Sequence, residues 1–367
     1  MMKLIVSRNK LNAALAKVNS VVSARSTLQI LGNILMEAEG NALRLTTTDL
    51  DVRISAEVEA KVEVAGVTTI PAKTFQSVIR SMVGDSVTLD SNDSHHMKIL
   101  CGNSNFKLLG LSPEDFPLPL EMTPVRRFKL SQADLARMIT MISYAVNQED
   151  TRKALNGILF SLNENNFVTV ATDGRRLALV EKIVEDSSGA DGDCIIPVRA
   201  AQELCKLLEK TGSVEVEIGD NMGRFSLDNA TVMTTKLIDE SYPNYRQVIP
   251  ASFSRKLELP RESVVDTLRR VSLVVSERSF YVQLKFADNK IDFQANSSDV
   301  GEGSDFVPIA YNDTEIVISF NPVFMIEPME RLDSDTVSMK MNDGYSPVAL
   351  CTDDGFLYVI MPMRNNR

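Results

Sequence analysis

The sequence predicts an α+β protein built from six copies of one strand–helix–strand unit, arranged in pairs as three similar domains. Three observations support this fold class. A strand-like run, a Pro or Ser and an amphipathic helix-like run recur together along the chain, in copies that begin 59 to 66 residues apart. Period-two alternation fills the segments between the helical runs. Alternate copies resemble each other more closely than neighbouring copies do.

Each copy opens with a strand-like run that leads into apolar residues at helical spacing, as Leu4 leads to Leu11 and Leu15. A Ser or Pro between them favours a helix start, because Ser can cap free amides and Pro suits the first turn. The runs begin at Leu4, Thr69, Phe128, Cys194, Leu257 and Ile316. Helices are expected over residues 8–18, 71–82, 131–142, 198–211, 260–275 and 322–332.

Strands are predicted between the helices, where apolar and polar residues alternate. Residues 41–46, 167–172 and 290–295 show this alternation clearly. Each copy is therefore predicted to be β-α-β-β-β. Because only one helix serves each set of strands, we expect the helices to lie on one side and the sheets on the other.

Parallels between alternate copies define the domains. The matching segments are 33–36 with 156–160, Thr48-Asp49 with Thr172-Asp173, and 112–117 with 238–243. They predict that two copies form one domain. The expected domains are residues 1–125, 127–252 and 255–367.

Composition indicates a globular protein, with 44% hydrophobic and 24% charged residues. No run approaches the roughly 20 apolar residues of a membrane helix. The N-terminus, Met1–Arg8, becomes polar too early for a signal peptide, so a cytoplasmic location is expected. The four cysteines form no C-x-x-C pair, and we expect them to be reduced and mostly buried.

Charge is distributed unevenly between the helices and the rest of the chain. The net charge is −10, but the six predicted helices together carry +6, which leaves −16 elsewhere. Helix propensity alone does not explain this, because Glu is as good a helix former as Lys or Arg. A modestly basic helix face suits loose, sequence-independent attraction to phosphates. The absence of Trp and the few helical aromatics argue against a single-strand stacking platform.

No catalytic motif is evident. The two histidines, His95 and His96, are adjacent in a polar stretch, and no triad can be built around them. The S-x-x-K match at Ser7 lacks its companion motifs and is better explained as a helix start. P-loop and G-x-G-x-x-G patterns are missing. We expect no enzymatic activity, no cofactor and no metal.

Three motifs carry a resemblance to a known family: ATDGRRLA at residues 171–178, YPNYR at 242–246 and VIMPMR at 359–364. Arg152 with Leu155-Asn156-Gly157, and Leu28 with Ile30–Asn33, add to it. In these motifs, and over its whole length, the chain resembles the bacterial DNA sliding clamp, the β subunit of the replicative DNA polymerase III.

The resemblance implies the DNA-clamp fold and a head-to-tail homodimeric ring around double-stranded DNA, with helices inside and sheets outside. Such a ring confers processivity by tethering the polymerase, and an ATP-driven clamp loader opens it. Phe106 and Leu108 would meet Leu273 and Val274 of the other chain. The stretch that starts at Leu273 is also a plausible helix core, above all at Val275.

The resemblance also implies a peptide-binding pocket for the polymerase catalytic subunit, the clamp loader, other polymerases and repair proteins. Its residues would be Leu155, Thr172, Gly174, Arg175, Arg176, Leu177, Pro243, Val248, Asn321, Phe324, Tyr345, Pro347, Met361, Pro362, Met363 and Arg364. DNA contacts would come from Arg25, Lys73, Arg80, Arg152, Arg199 and Lys206. Methionine side chains suit such a pocket because they adapt to several partner residues.

The chain departs from the family pattern in three places. Lys153-Ala154 replaces residues that are often aromatic, Gln247 replaces one that is often basic, and Asn365-Asn366-Arg367 extends the C-terminus. Two other functions stay open. A repeat scaffold could bind peptides without enclosing DNA, although it would need no basic helix face. A hydrolase would need a convergent cluster of His, Cys or carboxylates.

Overall fold

The computed structural model describes residues 1–22, 28–147, 149, 151–276 and 280–363. The predicted DNA contact Arg25, the predicted pocket residue Arg364 and the extension Asn365-Asn366-Arg367 lie outside these residues. Two compact units are present. Unit 1 consists of Met1–Ala136, Val184–Ala190 and Arg199–Leu237, and unit 2 consists of Arg137–Ile183, Asp191–Val198 and Ile238–Arg367.

Twenty-five strands occur in the described residues. The first eight are β1 (Met2–Ser7), β2 (Asn33–Glu39), β3 (Ala42–Thr48), β4 (Val52–Val64), β5 (Gly66–Pro71), β6 (Ser86–Ser91), β7 (His96–Cys101) and β8 (Ser104–Leu109). The next nine are β9 (Arg126–Ser131), β10 (Gly157–Asn163), β11 (Asn166–Thr172), β12 (Arg176–Ile183), β13 (Glu185–Gly189), β14 (Gly192–Pro197), β15 (Ser213–Ile218), β16 (Met222–Leu227) and β17 (Thr231–Lys236). The last eight are β18 (Arg255–Pro260), β19 (Val282–Ala287), β20 (Lys290–Ser297), β21 (Gly301–Pro308), β22 (Ile316–Phe320), β23 (Thr336–Met341), β24 (Val348–Cys351) and β25 (Phe356–Ile360).

Each predicted helix is present, and each follows one strand and precedes three. The helices in the described chain are α1 (Arg8–Val18), α2 (Ala72–Ser81), α3 (Gln132–Ile142), α4 (Val198–Leu207), α5 (Arg261–Val271) and α6 (Pro322–Met329). The β-α-β-β-β prediction is therefore confirmed for all six copies. The fourth, fifth and sixth helices end three to four residues earlier than predicted, and a 3-10 turn at Ser272–Val274 follows α5. The short strand β13 is an addition to the repeat.

The junction residues act differently from copy to copy. Ser131 accepts a hydrogen bond from the Asp134 amide at 3.0 Å, as a capping serine should. The Ser7 side chain makes no capping hydrogen bond. Pro71 and Pro260 end the preceding strand and lie just outside the helix, so the prediction of Pro in the first turn was wrong there. Only in α6 does a proline, Pro322, occupy the first turn, after the cap Asn321.

The strands form three antiparallel sheets. Unit 1 contains a 13-stranded sheet, whose main path runs from β13 to β8, with β2, β3 and β5 attached beside it. Unit 2 contains an 8-stranded sheet, in the order β14-β10-β11-β12-β25-β24-β23-β18, and a 4-stranded sheet, β21-β20-β19-β22. The middle pair of copies contributes strands to both units. The predicted domain boundaries therefore do not coincide with the compact units, and they stay a prediction.

All four cysteines are free, but only Cys101 is buried, so the expectation of mostly buried thiols was wrong for the other three. Within the described ranges, no helix is long and apolar enough to cross a membrane. The same residues contain no group of three His, Cys, Asp or Glu side chains that could hold a metal ion.

Candidate functional site

A tight turn at residues 172–176 of unit 2 is held by its own side chains. Thr172 donates its hydroxyl to the Arg176 carbonyl at 2.6 Å and accepts from the Gly174 amide at 3.1 Å. Asp173 accepts from the amides of Arg175 and Arg176 at 2.8 and 3.1 Å. Gly174 has φ +86°, a backbone conformation that side chains with a Cβ rarely adopt.

The segment Met361–Met363 continues β25 and runs between this turn and β22. The Met361 amide donates to the Arg175 carbonyl at 3.0 Å, and the Met363 amide donates to the Ser319 carbonyl at 2.8 Å. Asn321, two residues beyond Ser319, caps α6 by accepting from the Val323 amide at 3.0 Å. The segment thus joins two walls of the predicted pocket, the turn at residues 172–176 on one side and α6 with its cap Asn321 on the other. We call the surface formed by residues 172–177, Phe324 and Met361–Met363 the Met361 surface.

An apolar cluster supports the Met361 surface from within unit 2. Leu177 lies opposite Val359 in the β12–β25 pair, and both are buried in a cluster with Tyr245. Tyr245 begins the 3-10 turn Tyr245–Val248. Its burial fixes the flanking residues Pro243 and Val248, which stay exposed.

Arg176 is buried beneath Phe324. Its guanidinium lies 4.2 Å from the centroid of the Phe324 ring and 5.4 Å from that of Tyr144. The Arg176 Nε donates to Asp173 at 3.1 Å, one Nη donates to Glu327, and the other donates to the Tyr144 carbonyl at 2.7 Å. Burial opposes the charge on Arg176, but Tyr358, Glu327 and Asp173 outweigh it, so its pKa is raised.

Large apolar side chains are exposed around this surface: Val248 (45%), Val323 (50%), Met361 (43%) and Tyr345 (82%). Tyr345 lies in a turn held by Asp343, which accepts from the amides of Tyr345 and Ser346 at 2.8 and 2.7 Å. These amide hydrogen bonds hold the pKa of Asp343 below its usual value. Pro347 precedes β24, where Val348 lies opposite Ile360, and so reaches the level of Met361. An exposed apolar surface bordered by a hydrogen-bonded turn can bind apolar side chains of a partner.

Arg152, predicted to contact DNA, lies against the turn. A Cβ added to Gly174 would lie 3.2 Å from the Arg152 guanidinium. Leu155 is buried at the end of the same loop, in the 3-10 turn Lys153–Asn156. Of the residues that depart from the family pattern, Ala154 packs on the Tyr245 cluster. Lys153 and Gln247 are exposed.

The other predicted DNA contacts differ in their ion pairs. Arg199 pairs with Asp49 at 2.7 Å and Lys206 pairs with Glu203 at 2.7 Å, both within unit 1. Lys73 and Arg80 project from α2 into solvent. No ion pair is found for either of them among the described residues, so their charges are more available to a phosphate than those of Arg199 and Lys206.

The predicted interface residues lie at two sheet edges. Phe106 (40% exposed) and Leu108 belong to β8, which ends the sheet path of unit 1. In unit 2, Leu273 (80% exposed) and Val274 lie in the 3-10 turn after α5. A Cβ on Gly303 of the edge strand β21 would touch Val274 at 3.2 Å, which places the turn beside that edge.

Sequence reasoning missed the polar residues around Arg176. Asp173 was within reach, because it stands inside the ATDGRRLA motif. Glu327 was not, since 151 residues separate it from Arg176 and no local pattern marks the pair.

Three family models match the chain in order: the N-terminal, central and C-terminal domains of the DNA polymerase III beta subunit, over residues 2–121, 129–244 and 246–364. The beta sliding clamp of Chlamydia muridarum is 31% identical over 363 residues, 99% of each chain. The chain belongs to the beta sliding clamp family.

Solved structures of the family agree. The DNA polymerase III subunit beta of Pseudomonas aeruginosa superposes with a TM-score of 0.95 at 28% identity, covering 99% of this chain and 100% of that one. The C. crescentus beta sliding clamp gives a TM-score of 0.92 at 31% identity, covering 99% of both chains. Its structure holds polyethylene glycol at the region named there for beta-motif tethering.

Membership of the family confirms the predicted three-domain clamp fold and the prediction that the chain is not an enzyme. The chain is a sliding clamp that confers processivity in DNA replication, and its family implies DNA and a polymerase as partners.

Proposed function

We propose that this clamp works in the cytoplasm as a head-to-tail homodimeric ring around duplex DNA and holds its partners at the Met361 surface. The observation that carries the peptide site is the double attachment of Met361–Met363, to Arg175 on one side and to Ser319 on the other. The two hydrogen bonds link the turn at residues 172–176 to the strand before α6, which supports a single binding surface that includes the exposed side chains of Met361 and Val323. A preformed surface suits short linear motifs, because less ordering accompanies binding.

The proposed ring joins β8 of one chain to β21 of its partner. Both strands end their sheets, so their outward amides and carbonyls can pair with another strand. Exposed apolar residues accompany each edge: Phe106 on β8, Phe306 on β21 and Leu273 near β21. The two edges differ, which fits a head-to-tail contact that closes after two copies.

Within the ring, DNA would be held by enclosure and by weak attraction to the free cations Lys73 and Arg80. The chain has no nucleotide-binding motif, so opening the ring requires an ATP-driven clamp loader. The partners at the Met361 surface would be the replicative polymerase catalytic subunit, the loader, other polymerases and repair proteins. Tethering raises their effective concentration at DNA.

Retention on DNA tests the ring. Labelled protein is loaded onto nicked circular plasmid with a bacterial clamp loader and ATP, and gel-filtered before and after the plasmid is linearised. We expect it to stay on circles and to leave cut DNA. Leu273→Asp should sediment as a monomer and fail to load, whereas Val83→Asp, at an equally exposed position, should behave as wild type. Equal retention on both DNA forms would favour the peptide-binding scaffold.

Binding to immobilised polymerase III catalytic subunit tests the Met361 surface. Met361→Asp places a charge on an apolar contact, and we expect more than about tenfold weaker binding. Val83→Asp is again the control. If Met361→Asp and wild type bound equally well, the site would lie elsewhere.

A further inference from the structure

One carboxylate ties the two walls of the Met361 surface together. Glu327, in α6, accepts a hydrogen bond from the Arg176 guanidinium, which belongs to the turn on the other wall. Asp173 also binds Arg176, but it stands in the same turn, three residues away. Of the two carboxylates on Arg176, therefore, Glu327 alone connects the turn to α6.

Phe324 is held at both its ring and its backbone. The Arg176 guanidinium lies 4.2 Å from the ring centroid, within the range of a cation–π contact. The Tyr358 hydroxyl donates to the Phe324 carbonyl at 2.7 Å. Phe324 and Glu327 are three residues apart on α6, so their side chains are neighbours on one helix face. The Arg176 guanidinium can therefore contact both at once.

We propose that Glu327 is a positioning residue for partner binding: it holds the Arg176 guanidinium against Phe324, so that the ring stands ready in the Met361 surface. This inference rests on the proposed function, because it assigns Phe324 to a binding surface. It adds a residue that makes no contact with the partner itself.

The guanidinium of Arg176 is a buried cation. Arg176 has only 8% of its surface exposed, and a guanidinium removed from water needs acceptors in fixed positions. Without the Glu327 charge, Asp173 and the Tyr144 carbonyl remain. Neither belongs to α6, since Asp173 lies in the turn and Tyr144 lies in the 3-10 turn Ser143–Ala145. The guanidinium is then no longer held toward α6 by a carboxylate. The Phe324 ring then loses its cation–π contact with Arg176, and with it a constraint on its rotamer.

The neighbouring Tyr144 cannot take the place of Glu327 as the anion that holds Arg176. The Tyr144 ring has two cations near it, the guanidinium of Arg176 at 5.4 Å and that of Arg331 at 4.9 Å from its centroid. Burial raises the pKa of Tyr144 well above its usual value, so the phenol stays neutral and cannot replace Glu327 as an anion. Glu327 and Asp173 therefore carry the negative charge that faces Arg176.

The test uses the full-length protein and the immobilised polymerase III catalytic subunit. Glu327→Gln keeps the shape and removes the charge, and we expect about fivefold weaker binding. Glu327→Asp keeps the charge on a shorter arm and should recover part of the loss. The control is Glu330→Gln, three residues onward at the C-terminal cap of α6. It breaks an exposed ion pair with Arg269 (2.5 Å) and should change binding less than about twofold.

A double-mutant cycle separates positioning from general loosening of the fold. If Glu327 acts through Phe324, Glu327→Gln should cost little further affinity in a Phe324→Ala background, although each single change weakens binding. Additive losses, or equal losses from Glu330→Gln, would overturn the proposal. If wild type and Met361→Asp differ but Glu327→Gln binds as wild type does, only this inference fails. If Glu327→Gln does not fold, the cycle is run with Glu327→Asp.

Discussion

The chain contains the same turn twice, at residues 48–52 in unit 1 and at residues 172–176 in unit 2. Thr48 donates to the Val52 carbonyl at 2.9 Å, as Thr172 donates to that of Arg176 at 2.6 Å. The third residue has φ +82° in the first turn and +86° in the second. In both turns the carbonyl of the fourth residue accepts a hydrogen bond from a backbone amide at the end of a strand. The Lys236 amide donates to the Asp51 carbonyl at 2.9 Å, and the Met361 amide donates to the Arg175 carbonyl at 3.0 Å.

The sheet faces next to the two turns are chemically different. In unit 2 the face is apolar and covered by Tyr245. Matching strand positions give polar or charged residues in unit 1: Val168, Val170, Leu177, Leu179 and Val359 correspond to Arg44, Thr46, Arg53, Ser55 and Thr234. A cleft of about 700 Å³, lined by Arg44, Arg53 and Phe116 among others, lies there instead.

The backbone of the repeat therefore does not by itself make a binding surface. The side chains on one sheet face decide which copy of the turn can take up an apolar partner. The aspartate of each turn also recruits a different cation. Asp49 pairs with Arg199 of α4 at 2.7 Å, whereas Asp173 pairs with Arg176 of its own turn at 3.1 Å.

The largest effect is expected from Gly174→Leu, which gives the second turn the residue of the first. A Leu at φ +86° costs about 1–2 kcal/mol of stability, and its Cβ would lie 3.2 Å from the Arg152 guanidinium. We expect weaker binding to the polymerase catalytic subunit, by more than about tenfold. Urea unfolding and surface plasmon resonance measure the two effects. Unchanged binding would show that the turn conformation does not shape the Met361 surface.

The next largest effect is expected from replacing the aspartate of each turn, which should change polymerase binding in one case and DNA binding in the other. Asp173→Asn weakens the hold on Arg176, and we expect about fivefold weaker polymerase binding with unchanged DNA affinity. Asp49→Asn frees Arg199 for phosphate, and we expect about two- to threefold tighter binding to a duplex oligonucleotide with unchanged polymerase binding. Fluorescence anisotropy at low salt measures the DNA arm. If both variants lowered polymerase binding equally, the turns would not be specialised.

Free and paired cations should also differ between the helices of unit 1. The double variant Lys73→Ala/Arg80→Ala removes the exposed pair on α2, and the salt dependence of log K for duplex DNA should fall by about two. Arg199→Ala/Lys206→Ala removes cations already paired with Asp49 and Glu203, so its salt dependence should change by less. Equal changes would mean that the ion pairs break when DNA binds.

Repeats and helices could be predicted because they depend on local periodicity, and the helix starts were correct to within one residue. The specialised chemistry of the Met361 surface could not. Residue identities at positions 172–177 and 361–363 pointed to it only through a family resemblance. The pairing of Arg176 with Glu327 joins residues far apart in the chain, and single-sequence periodicity carries no information on such a contact. Likewise, the ion pair of Arg199 with Asp49 joins residues that are distant in sequence, and no local pattern marks it.

The smallest effect concerns strain in the first turn. Leu50 adopts φ +82° where its counterpart is a glycine, and a non-glycine residue in this region is destabilised. Leu50→Gly should therefore raise the free energy of unfolding by about 0.5–1 kcal/mol, since the greater freedom of glycine in the unfolded chain offsets part of the gain. Polymerase and DNA binding should not change. Leu50→Ala is the control, because it keeps the Cβ and hence the strain. If both variants destabilised the protein equally, the half-exposed Leu50 side chain would contribute more by its contacts than its backbone costs, and the two turns would differ in packing as well as in charge.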